Sequence, residues 1–115
     1  MLLSLYGDFM EFEINGIVWR IEYVNPMSKN LLRSDGSRTV GVTDLLTGTI
    51  YINSLLGGEF LRKVITHEVC HSAMFSYGIF LDIETEELIC DFIATNGREI
   101  FEIADELFRL LRKVS

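Results

Sequence analysis

A chain of 115 residues, 49% of them hydrophobic, is near the commonest size for one domain and can bury roughly two thirds of the surface its unfolded form exposes. It needs neither a disulfide nor a structural metal to fold, so a bound metal would serve function rather than folding. The formal charge of -7, from 17 acidic against 10 basic residues, weighs against DNA or RNA as a direct ligand, because phosphate binding needs clustered Lys and Arg.

The start, MLLSLYGDFMEFE, lacks a basic end and turns acidic by Asp8, unlike a secretory signal. No segment has the length of a transmembrane helix. Cys70 and Cys90 fall inside apolar helical patterns, which suits reduced, buried small hydrophobes better than a bridge. The expectation is a cytoplasmic protein with no membrane association.

In chain order, Phe9 to Ile14 and Ile17 to Val24 are apolar and aromatic runs around Asn15-Gly16, the dipeptide that most favours a two-residue hairpin. Asn25-Pro26 ends the hairpin, and Ser28 to Ser37 reads as an exposed loop. Val40 to Asp44 and Thr49 to Asn53 are short β-rich runs joined through Leu45 to Gly48. They predict a second hairpin, completing an antiparallel β-meander over residues 1–54.

After Gly57-Gly58 the segment Glu59 to Tyr77 contains no Gly or Pro, which predicts a central, largely buried helix over 59–77 stopped by Gly78. Two further helices are expected within 83–114. One runs from Ile83 to Asn96, where Gly97 ends or bends it, and the other from Arg98 to Val114. Ile100, Ile103, Ala104, Leu107, Phe108 and Leu111 recur at helical spacing, the pattern of a stripe packed on the core. The fold class is thus α+β in one domain.

Residues 67 to 71 read His-Glu-Val-Cys-His. Four residues on a helix make about one turn, so both imidazoles can face one ion while Glu68 reaches water beside it. The chain holds only two histidines, and a chance match to this pattern is on the order of two in a thousand. Zinc suits neutral imidazoles and, in catalytic sites, takes three protein ligands and leaves one position open. With no third histidine, the remaining ligand must be a carboxylate or a cysteine. The acidic cluster at Glu84, Glu86, Glu87 and Asp91 supplies candidates. Glu87 is the first choice as ligand and Glu86 the second, with Asp91 one turn on as an acceptor for an imidazole N–H. The competing reading is that these acids only complement the helix dipole.

The segments Thr66 to Phe75 and Glu86 to Ala94, preceded by Gly41-Val-Thr-Asp and Gly48-Thr-Ile-Tyr-Ile, resemble small phage- and prophage-encoded zincin-like metallopeptidases, distantly those of the ImmA/IrrE type. The resemblance implies a zincin-like fold with zinc on His67, His71 and Glu87, Asp91 behind them and Glu68 as general base. It also implies peptide-bond hydrolysis directed at a regulatory protein. Zinc would acidify a water whose proton Glu68 takes. The strand Thr49 to Asn53 is expected to offer an edge for an extended substrate, with Tyr77, Tyr51 or an arginine steadying the oxyanion. The alternative is a zinc-binding protein-interaction module without catalysis, against which the intact Glu68 speaks. Oligomeric state is not legible.

Overall fold

The computed structural model describes residues 2–6 and 9–114. Asn15 and Gly16 both take positive φ, 51° and 77°, as a two-residue turn between right-twisted strands requires. This turn joins β2 (Phe9–Ile14) to β3 (Ile17–Val24), with Ile14 opposite Ile17. The expected hairpin is therefore present. A preceding strand β1 (Leu2–Tyr6), not anticipated, adds antiparallel to β2.

The second hairpin also forms, from β4 (Gly41–Asp44) and β5 (Thr49–Asn53), antiparallel with Asp44 opposite Thr49. It does not extend a meander. Among the described residues the sheet has five strands in the order β1-β2-β3-β5-β4, and β5 lies parallel to β3, with Arg20 opposite Thr49 and Val24 opposite Asn53. The antiparallel meander is thus corrected to a mixed sheet. The long connection after β3 carries the chain past the β5 position to the rim, and the hairpin then folds back inward. The central place of β5 matches its composition: Ile50 and Ile52 are fully buried, as expected of a strand paired on both sides and covered by a helix.

One face of the sheet is covered by α1 (Gly58–Ser76). Ile50 and Ile52 meet Val64 there, with Phe12, Ile21, Leu61, Ile65 and Val69 around them. The helix ends as predicted. Gly78 has φ 72°, its N–H donates to the carbonyl of Phe75, and the N–H of Ile79 donates to that of Met74, the Schellman arrangement that favours glycine after a helix. Trp19 of β3 donates from Nε1 to Ser76 Oγ at 2.7 Å, fastening the helix end to the sheet.

From Ile83 to Val114 the chain forms a single helix, α2, of 32 residues, so the two expected helices are one. Gly97 neither stops nor splits it. Glycine inside a helix costs only about 1 kcal/mol relative to alanine, and here it is buried, with space at its Cβ position limited by Ile93 Cγ2 at 3.3 Å. At its start Asp82 accepts from the Thr85 N–H at 3.1 Å and the Thr85 hydroxyl at 2.9 Å, a side-chain cap. The expectation that the stripe from Ile100 to Leu111 packs on the core is also corrected: every residue from Arg98 to Lys113 is exposed. A helix this long spans roughly 48 Å, which accounts for the 55 Å long axis of a molecule only 33 by 30 Å across. Among the described residues no helix is long and apolar enough to cross a membrane.

Candidate metal centre

The two helices are antiparallel, which brings His71 level with Glu86 and Glu87 and His67 level with Asp91. Glu87 reaches both imidazoles: its Oε2 lies 3.1 Å from His67 Nε2 and its Oε1 2.8 Å from His71 Nε2. The two Nε2 atoms are themselves 3.1 Å apart. His67, His71 and Glu87 thus form a group that could hold a metal ion, each offering an atom within 4.8 Å of the others.

Behind each ring stands a second carboxylate. Asp91 Oδ1 is 2.8 Å from His67 Nδ1, and Glu86 Oε2 is 2.6 Å from His71 Nδ1. Each imidazole thus lies between two carboxylates, Asp91 or Glu86 at Nδ1 and Glu87 at Nε2; a proton held at Nδ1 leaves Nε2 its lone pair for a metal ion. In that tautomer two lone pairs and the oxygens of Glu87 converge, an arrangement of acceptors that could hold a cation at their centre. The spacing fits. Tetrahedral ligation with bonds of about 2.0–2.1 Å sets neighbouring donor atoms about 3.3–3.4 Å apart, close to the separations found.

Of the predicted residues, Asp91 thus stands behind His67 and Glu87 faces the centre. Glu86, the second choice for ligand, is instead buried against His71. Consecutive helical residues diverge by about 100°, so Glu87 faces the two Nε2 atoms while Glu86 reaches Nδ1 of His71 from behind. Phe75, one turn after His71, stacks against its ring at 6.3 Å between centroids and against Trp19 at 6.5 Å. Ring orientation is therefore set by packing as well as by Glu86.

Glu68 is buried beside the centre, with Oε2 4.0 Å from His67 Nε2. Burial pushes its carboxyl above the ordinary glutamate range, and Glu87 adds to this, while the Thr43 hydroxyl draws it back. Thr43 Oγ1 is 2.8 Å from Glu68 Oε1 and 3.0 Å from the Glu68 carbonyl. Two positions along β4, Gly41 gives the carboxylate room: a Cβ there would lie 2.9 Å from Val64 Cγ1 and 3.1 Å from Glu68 Cγ. Gly41 and Thr43 were not anticipated. Their signal is the alternation of a strand, which puts residues two apart on one face.

These groups open onto a cleft of about 820 Å³ walled by β4, α1, the start of α2 and the loop bearing Arg33 and Asp35. The expectation that β5 offers a free edge is corrected, because β5 is paired with β3 and β4 on its two sides. The edge strand that lines the cleft is β4. Neither Tyr51 nor Tyr77 lines the cleft, whereas Arg33 and Lys63 do. Cys70 and Cys90 are free thiols, and burial raises the Cys90 thiol above its ordinary range. No protein-family model matches this chain, and neither a curated protein nor a solved structure does.

Proposed function

We propose that this protein is a zinc-dependent peptidase with a zincin-like site, in which His67, His71 and Glu87 hold the ion and Glu68 is the general base. The observation that carries the reading is the convergence of the two Nε2 atoms and both oxygens of Glu87 beside a buried carboxylate that is not itself one of the ligand group. When bound, zinc supplies Lewis acidity, making water a stronger acid and polarising a carbonyl. Glu68, held by Thr43, takes a proton from water and later delivers it to the departing amine. Asp91 and Glu86 keep each imidazole in the tautomer that ligates.

A peptide substrate suits the cleft because its rim is the strand β4. An extended peptide can hydrogen-bond along it as an added strand, which would run its carbonyls past Glu68. Arg33 and Lys63, the cations lining the cleft, are the groups available to steady negative charge on the carbonyl oxygen. A regulatory protein in a phage or prophage setting is the substrate class that the sequence resemblance suggests.

A binding module that used its metal only for shape would have no use for Glu68. The test is metal content of the purified protein together with cleavage of an unstructured protein such as casein. Wild type should contain about one zinc per chain and cut. Glu68→Gln should keep the zinc and lose cleavage, and His71→Ala should lose both. Equal zinc in wild type and His71→Ala would reject the site, and a zinc-loaded wild type that cuts no better than Glu68→Gln would reject the peptidase.

A further inference from the structure

We infer that the exposed C-terminal half of α2 is a dimerisation arm, which pairs antiparallel with the same segment of a second copy of this chain. The antiparallel packing of α1 and α2 brings the start of α1, Gly58, level with about residue 100 of α2. Beyond that point roughly 20 Å of helix runs past the body of the molecule. Over this stretch apolar residues recur at alternating spacings of three and four: Ile100, Ile103, Leu107 and Leu110. Phe108 and Leu111 widen the stripe. Exposure ranges from 45% for Ile100 to 64% for Phe108. A contiguous apolar face of this kind on a charged helix marks an interaction site rather than ordinary surface, and the three-four repeat is that of a helix seam buried against another helix.

Charge identifies the occupant. The first part of the arm is acidic, with Glu99, Glu102, Asp105 and Glu106, and the last part basic, with Arg109, Arg112 and Lys113. A second arm laid parallel would set acid on acid and base on base. Laid antiparallel, it sets Ile100 against Leu110 and Ile103 against Leu107 of the other copy, and Glu99 falls opposite Lys113 at both ends, while Glu106 meets its own counterpart at the centre, where each is paired with Arg109 of its own helix. The segment is thus complementary to its own reverse. Within one copy Arg109 already pairs with Glu106, and Arg112 stands over the Phe108 ring at 5.4 Å. These neighbours hold the basic groups along the helix flank, beside the apolar stripe. The arm is also far from the metal centre, since Leu107 lies twenty residues beyond Glu87, roughly 30 Å along the helix. Pairing and metal binding are therefore separable.

The experiment is sedimentation velocity of the full chain at about 100 μM, with far-UV circular dichroism to check that each variant keeps its helices. Wild type should sediment as a dimer of the 13.2 kDa chain. Leu107→Glu should be monomeric while retaining wild-type zinc content. The two charge variants E99K/E102K/E106K and R109E/R112E/K113E should each be monomeric alone and form a heterodimer when mixed in equal amounts, because each supplies the charge the other lacks. The inference is overturned by a monomeric wild type, including one that instead binds a different protein through this face. It is also overturned by a dimer that survives Leu107→Glu, or by failure of the mixed charge variants to pair.

Discussion

Thr43 Oγ1 lies 2.8 Å from Glu68 Oε1 and 3.0 Å from the carbonyl of the same residue, so one hydroxyl of the rim strand touches both the backbone and the carboxylate of the proposed base. This contact fixes where the base points without touching the ligands. Thr43→Val should leave zinc content unchanged and lower the cleavage rate by roughly 10- to 100-fold, and Thr43→Ser should restore most of it. Loss of zinc in Thr43→Val would show that the hydroxyl supports the metal centre rather than the base.

Glu86 and Asp91 play similar parts behind the two imidazoles in different surroundings. The Glu86 side chain is 11% exposed, whereas the Asp91 side chain is 65% exposed. Water screens Asp91 and can replace it, but nothing replaces Glu86. Glu86→Gln should therefore weaken zinc binding by about 10- to 100-fold, and Asp91→Asn by no more than about 10-fold. Competition with a chelator measures both. An equal effect would mean that burial does not decide the strength of these contacts.

At Gly41 a methyl group would have to share space with Val64 and Glu68. Gly41→Ala should cost about 1–3 kcal/mol in denaturant unfolding, the range for overpacking a well-filled site, and should depress turnover more than zinc content. A fully stable and active variant would show that β4 can move outward without consequence.

A cation that binds the folded site and not the unfolded chain links metal to stability. Free zinc at about 100 times its dissociation constant should stabilise the fold by roughly 2.7 kcal/mol, and a chelator should lower the melting temperature of wild type but not of His71→Ala. Identical melting with and without chelator in wild type would contradict this.

The cap at the start of α2 predicts a dependence on acid. The bonds from Thr85 hold the Asp82 carboxyl below the ordinary aspartate value in the folded protein. Its contribution is complete above the unfolded value and is lost as pH falls through the lower folded one. Wild type should therefore lose part of its stability below about pH 4 relative to Asp82→Ala, which lacks the cap at every pH. Parallel stability curves for the two proteins would show that the cap does not matter.

Local chemistry was legible in the chain wherever neighbouring residues decide the outcome. Asn15-Gly16 dictates its turn because both residues accept positive φ, and Gly78 ends α1 for the same reason. The two histidines share a helix face because helical period alone places them there. Strand order was not legible. Alternation reveals that β4 and β5 form a hairpin, but not which of the two turns inward, since that depends on how the whole sheet meets α1.

The sequence by itself determined the two hairpins, the helix that ends before Gly78, an α+β composition and a histidine pair flanking Glu68, all of which follow from period, turn chemistry and spacing, but neither β1 nor the continuity of α2. Only the tertiary structure decided that Glu87 rather than Glu86 faces the two Nε2 atoms, and that Thr43 and Gly41 shape the place of Glu68. It also decided that the stripe beyond Gly97 projects instead of packing. These outcomes depend on which segment lies opposite which, and a repeat of apolar residues records that a face is to be buried without recording against what.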